Sequence, residues 1–208
     1  MNRINKDVAL DIFLRVLSCV CVGFFIANLL AAYSADKTRI TLAAAVIAEV
    51  TTIVISLASR RPMARDWRLL TVAATVYAAS IWQPLINIKS VFHLLNETTS
   101  AAVQFLGVLW VINAKITLGR SFGWLPANRG IVDTGVYRLV RHPIYFGYLV
   151  THAGFLLANF NIQNAAVFAS IYVAQLYRIF QEEKFLMQDE SYRSYASRVR
   201  YRLIYGVF

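Results

Sequence analysis

Two short stretches hold the side chains best suited to chemistry: Gly130–Tyr145, reading GIVDTGVYRLVRHPIY, and Arg178–Leu186, reading RIFQEEKFL. In the first, Pro143 suits the opening turn of a helix, because an N–H there would lack an intrahelical partner and proline's φ is already helical. His142 then stands at the cap. A helix that starts in this way points free N–H groups and its positive dipole end outward, which suits a ligand carboxylate or phosphate. His142 and Tyr145, three residues apart, project to one side, although an ordinary interfacial helix start would carry similar anchors. In the second stretch, Arg178 and Glu182 share a helical face with Gln175 one turn earlier. That seam is either an intrahelical ion pair worth a few tenths of a kcal/mol or a wall for a polar ligand. Glu183 and Lys184 point away from it and are expected in solvent.

Composition sets what must position these residues. The chain has 208 residues, 58% hydrophobic and 15% charged, with a mean hydropathy of +0.53. A soluble domain of this size would have too little polar surface to cover so much apolar side chain, whereas hydrocarbon solvates it directly. Apolar runs occur at Ile12–Tyr33, Ile40–Ala58, Trp67 to about Ile86, about Ala101–Leu118, Pro143–Ala158 and Ala165–Phe180. The second would span roughly 28 Å as a helix, just enough to cross. Pro84 sits where the third can stop or kink. The uncharged turn Asn159–Asn164 joins the last two. The expectation is an all-α integral membrane protein of five to six transmembrane helices, the last two forming a helical hairpin.

The net charge of +10 would suggest nucleic acid in a soluble protein, but here the basic residues flank apolar runs and are read as orienting loops that touch anionic lipid. Arg3, Lys6, Arg60, Arg61, Arg65, Arg68, Arg120, Arg129, Arg138, Arg141 and the tail from Arg178 fall on one side; Lys37, Arg39 and Lys89 fall on the other. This asymmetry predicts cytoplasmic N- and C-termini for a multi-pass protein. Because a hairpin is antiparallel, the starts and ends of its two helices meet, so His142–Tyr145 and Arg178–Glu182 become neighbours at the cytoplasmic face. Cys19 and Cys21 lie two apart on different faces, giving neither a disulfide nor a metal or redox site. Glu49 falls mid-span, where a carboxylate is costly and faces protein or water. No repeat or linker divides the chain, so residues 1–208 read as a single membrane domain, with 1–100 as scaffold and 118–208 as the chemical region.

The order LGRSF (Leu118–Phe122), GVYRLVRHPIYFG, a span-length hairpin, EEKFL and SYRSYASRV resembles the C-terminal half of the isoprenylcysteine carboxyl methyltransferase family and related membrane phospholipid methyltransferases. The likeness covers roughly residues 118–200. It implies that Arg129, Gly130, Ile131, Val132, Tyr137, His142, Pro143, Ile144 and Tyr145 contact S-adenosylmethionine. Glu182 would hold that cofactor from the facing helix, with S-adenosylhomocysteine as product, and Arg178 would be the catalytic residue that binds the acceptor. The tail departs from the family pattern in having no proline over Tyr201–Phe208.

The implied reaction methylates a lipophilic acceptor that reaches the site sideways from the bilayer, in first place the carboxylate of an isoprenylcysteine-like group. An ionised carboxylate has no proton to lose, whereas a phospholipid amine, the runner-up, would need a base for which His142 and Glu183 are poor candidates. His152, seven residues beyond Tyr145, either lines the acceptor's path or is a hydrogen-bonded buried histidine. A non-catalytic membrane scaffold is the reading from another class.

Overall fold

The computed structural model describes residues 3–57, 64–65, 68–89, 92–119, 127–128 and 131–208. Among these the chain is helical: α1 (Arg3–Ala35), α2 (Ile40–Leu57), α3 (Leu69–Val76), α4 (Glu97–Leu118), α5 (Pro143–Ala158), α6 (Ile162–Leu186) and α7 (Glu190–Arg198). The exception is a two-residue antiparallel pairing of β1 (Ala64–Arg65) with β2 (Ala127–Asn128), which ties the connection after α2 to the one after α4. Asn96 and Asn161 cap α4 and α6 by accepting from the N–H groups of Thr99 and Asn164, and this fixes where those helices begin.

Among the described residues, two segments are long and apolar enough to cross a membrane, Val16–Ala35 and Glu97–Leu118; Ile40–Val54, Leu69–Ile81 and Pro143–Ala158 are shorter apolar helices. Their outward side chains are those a hydrocarbon solvent would accept: Phe24 is 63% exposed, Leu106 65% and Val54 59%. The fifth apolar run coincides with α5. The third does not form one straight helix: after α3 the chain takes a π-helical turn over Tyr77–Ile81 and a 3-10 turn over Gln83–Leu85. Pro84, which cannot donate to the ladder, stands in that last turn. α6 overruns the expected Ala165–Phe180 at both ends.

α5 and α6 are joined as the hairpin requires, but α5 lies along α4. Glycine allows that approach. A Cβ on Gly154 would fall 2.4 Å from the backbone nitrogen of Gln104, one on Gly107 2.4 Å from that of Thr151, and one on Gly147 2.5 Å from Val111. The cavity described below is lined by side chains of α2, α4, α5 and α6.

The two ends of the bundle differ. At one end, Glu97 accepts from both the N–H and the hydroxyl of Thr41, at 2.9 and 2.6 Å. There Arg39 donates to Asn159 at 2.5 Å and to the Ile88 carbonyl at 2.6 Å, Asn159 donates to Thr41 at 3.3 Å, and Asn164 pairs with the backbone of Asn87. These bonds lock the starts of α2, α4 and α6 to the end of α5. The apolar core lies above them, built on Phe25, Leu29, Leu42, Trp82, Phe155 and Phe168.

The glycine seam yields a controlled prediction. Gly154→Ala must push α4 and α5 apart and should cost about 1–3 kcal/mol, seen as a lower thermal midpoint in detergent. Gly23→Ala, where a Cβ meets nothing within 4 Å, should not lower it. Equal midpoints for both variants and the parent would contradict the packing.

Candidate functional site

Pro143 opens α5 with His142 at its cap. The backbone N–H of Arg141 donates to the Tyr201 carbonyl at 2.9 Å and that of His142 to the Arg202 carbonyl at 2.7 Å. The C-terminal tail therefore straps the start of α5 without proline. From there Tyr145 reaches across to α6, where its hydroxyl donates to Glu182 at 3.1 Å. The guanidinium of Arg178 lies 5.2 Å from the centre of the Tyr145 ring, and its Nη1 donates to Gln175 at 2.8 Å. Sequence-distant groups thus meet at one end of the bundle.

Glu183 overturns its expectation. It is 5% exposed, and its Oε1 receives the Tyr192 hydroxyl at 2.6 Å and contacts His142 Nε2 at 2.9 Å. Its Oε2 lies 3.1 Å from Arg141 Nη2 and 3.6 Å from Arg202 Nε. A carboxylate excluded from water needs such donors, so Glu183 turns inward to meet α5's start, α7 and the tail. Lys184 is exposed, as expected. Tyr195 extends the network by donating to the Tyr137 carbonyl at 2.7 Å. Burial pushes the hydroxyls of Tyr137, Tyr192 and Tyr195 well above the ordinary tyrosine range, so all three are donors rather than bases.

One cavity joins this region to the bundle's interior, its mouth open to solvent. Ile131, Val132, Tyr137, His142, Ile144, Tyr145, Arg178 and Glu182 all line it. Pro143 is buried instead, its carbonyl accepting from Trp110 Nε1 at 3.0 Å. Arg129 and Gly130 lie outside the described residues. The deeper wall comes from the first hundred residues as well: Phe25, Ala45, Glu49 and Trp82 face the same space.

The sequence reading also passed over Lys115, a single charge inside an apolar run. It is 1% exposed, donates to Thr52 at 2.9 Å and sits 5.3 Å from the Tyr148 ring centre. Its position three residues before the end of α4, opposite a threonine-rich turn of α2, is the signal that could have flagged it. Both cysteines are free thiols.

A polar chamber with a carboxylate, a guanidinium and aromatic faces, continuous with an apolar shaft, is suited to a charged donor molecule meeting a greasy acceptor. Comparison with known proteins gives the same direction. Residues 94–188 match the Isoprenylcysteine carboxyl methyltransferase (ICMT) family. Over that stretch the family resemblance holds. Two relatives from Arabidopsis thaliana are similar: Protein-S-isoprenylcysteine O-methyltransferase A is 41% identical over 96 residues, covering 41% of this chain and 48% of the relative. Protein-S-isoprenylcysteine O-methyltransferase B is 36% identical over 104 residues, covering 45% of this chain and 52% of the relative. The chain thus spans about half the length of the curated relatives it matches. No solved structure matches it. The ICMT match includes α4 together with α5, which carries Tyr145, and α6, which carries Arg178 and Glu182, and stops before α7.

Removing the Glu183 carboxylate should leave Arg141 and His142 facing each other in a dry site. Glu183→Ala is expected to cost about 3–5 kcal/mol, measured as thermal stability of the purified chain, with Glu183→Gln intermediate because it keeps acceptors for Tyr192 and His142. An alanine variant as stable as its parent would show that the network is not structural.

Proposed function

We propose that the chain is a membrane methyltransferase that binds S-adenosylmethionine in the chamber around Tyr145 and Glu182 and methylates a lipophilic acceptor. The preferred acceptor is the carboxylate of an isoprenylcysteine-like group. The observation that carries this reading is the Tyr145–Glu182 hydrogen bond beside Arg178, at the polar end of a cavity whose other end is apolar. The ICMT match supplies the reaction class.

The donor set fits the cofactor. Glu182 can accept from an ammonium or a ribose hydroxyl, the α5 start beside His142 can receive a carboxylate, and Tyr137 and Tyr145 offer faces to an adenine or a sulfonium. When held there by Glu182, Tyr145 and the α5 start, S-adenosylmethionine would supply an electrophilic methyl group for a carboxylate oxygen, with its sulfur as the leaving group. The chain's part is orientation and exclusion of water. Arg178 holds the acceptor carboxylate, a task that the planar fork of guanidinium performs well. Gln175 fixes the direction of that fork. No side chain has to take a proton.

That last feature favours carboxyl over amine methylation. An amine acceptor needs a base near the reacting atoms, and Glu183 and His142 are committed to each other at 2.9 Å. The basic residues of the connections after α2 and α4 and of the tail support a cytoplasmic chamber in a protein of five to six passes, with both termini on that side. The cofactor would then arrive from the aqueous face and the acceptor from lipid. Within one membrane unit, residues 118–208 would carry the cofactor chamber, while the first helices complete the acceptor's wall.

Calorimetry with S-adenosylhomocysteine on the purified full chain tests the cofactor assignment. Glu182→Gln and Tyr145→Ala should each weaken binding by about ten-fold or more, the scale of a hydrogen bond to a charged group. Unchanged affinity in both would refute it, and no binding by the parent would leave the scaffold reading. Arg178→Ala should lower kcat/KM for an S-farnesylcysteine acceptor by at least about ten-fold while cofactor affinity holds; equal rates would remove its acceptor role.

A further inference from the structure

The cavity ends blind in the apolar core. Phe25, Ala45, Trp82, Ile86, Phe155 and Phe168 line it and also belong to that core. Among the described residues, Thr41, Glu97, Asn159 and Asn164, which fasten the helices below, do not line it. Ala45, Phe155 and Phe168 each stand four residues from one of those fastened positions, about 6 Å above the polar end of the bundle. The rings meet in series: Phe25 to Trp82 at 5.9 Å between centroids, Trp82 to Phe168 at 5.7 Å and Phe168 to Phe155 at 6.1 Å. They form a floor, backed by the polar bonds beneath it.

Two helices place that floor at the same depth. Phe155 follows Tyr145 by ten residues on α5, and Phe168 precedes Arg178 by ten on α6, a rise of about 15 Å in each case. Tyr145 and Arg178 are themselves neighbours, the guanidinium lying 5.2 Å from the ring centre. The shaft therefore runs about 15 Å from the group that would hold the acceptor carboxylate to its closed end. Of the polar residues in its wall, Glu49 has Lys115 as an electrostatic partner and His152 is bonded to the Tyr172 hydroxyl at 2.8 Å. Phe25, Ala45 and Trp82 lie outside the residues that match the ICMT family, so half of the floor belongs to the part of the chain that the family match does not cover.

We infer that this aromatic floor limits the length of the acceptor's prenyl tail, and that the shaft is cut to a geranyl chain. The inference rests on the reading of the cavity as the acceptor's channel, and deepens it by naming the tail. With bonds of about 1.5 Å and near-tetrahedral angles, an extended carbon chain advances about 1.25 Å per bond, so the shaft holds about twelve bonds. About four of these join the carboxyl carbon to the first prenyl carbon, leaving about eight. That is enough for the main chain of a geranyl group and short of a farnesyl group's, which reaches the floor and has to bend. The rings that stop the chain are packed against one another, so a longer tail cannot displace them without loss of core contacts.

S-geranylcysteine and S-farnesylcysteine test this. Binding of both to the full chain in nanodiscs is measured without cofactor, and the ratio of the farnesyl Kd to the geranyl Kd is compared between the parent and three variants. Partitioning of the probes into lipid cancels in that comparison. Trp82→Ala and Phe168→Ala deepen the shaft and should lower the ratio by about ten-fold, the scale of burying part of one more isoprene unit. Ala48→Leu adds bulk to the wall one turn above Ala45 and should raise it by a similar factor. Because that variant fills open space and removes nothing from the core, it decides the matter if a floor variant shows no cooperative thermal transition. A ratio in Ala48→Leu equal to the parent's, or in a folded floor variant equal to the parent's, would overturn the limit and leave the channel standing. Failure of both probes to bind the parent would overturn limit and channel together. The expected shifts without any methyl transfer on adding S-adenosylmethionine would support the limit and sink the methyltransferase reading.

Discussion

Burying the carboxylate of Glu183 where a helix leaves an apolar bundle is tolerable only because several donors converge on it. His142 and Tyr192 meet one oxygen, and Arg141 and Arg202 approach the other. The four donors come from three parts of the chain: Arg141 and His142 from the start of α5, Tyr192 from α7 and Arg202 from the tail. The penalty for an isolated carboxylate there would be several kcal/mol, so the network is close to all-or-none. Whatever Tyr145, Glu182 and Arg178 do, they do it from positions that this network holds.

The same constraint explains the division between the bundle's ends. At the end opposite Glu183, the polar residues Thr41, Glu97, Asn159 and Asn164 are consumed in fastening helices to one another. At the Glu183 end, structural bonds are moved to Glu183 itself, which leaves its neighbour Glu182 facing the cavity. Two adjacent glutamates thus point to opposite tasks, one to architecture and one to the chamber. The tight α4–α5 seam, closed at Gly107, Gly147 and Gly154, fixes the two helices that form one wall of the cavity.

Much of this was legible in the sequence where the signal is local. Pro143 and the polar turn from Asn159 set both limits of α5, and helical spacing placed Arg178, Gln175 and Glu182 on one face. The hairpin argument brought Tyr145 to Glu182. What failed to show was set by partners distant in the chain. Glu183 reads as a solvated charge until Arg141, His142, Tyr192 and Arg202 are folded onto it. Lys115 disappears into a hydropathy average, although Thr52 and Tyr148 make a buried place for it. The break at Tyr77–Ile81 depends on packing against α1 and α6, which no period in the sequence reveals. The contribution of the first helices to the cavity wall is likewise a property of the assembled bundle.

The account's central claim is spatial: the Glu183 network presents Tyr145 and Glu182 to one small molecule at the polar mouth of a shaft that takes a lipid. A density map of the full chain in nanodiscs with S-adenosylhomocysteine tests this most directly. The account predicts ligand density in contact with both Tyr145 and Glu182, with Arg178 on the side facing the apolar shaft. Ligand density elsewhere, or touching neither of those two side chains, would contradict it.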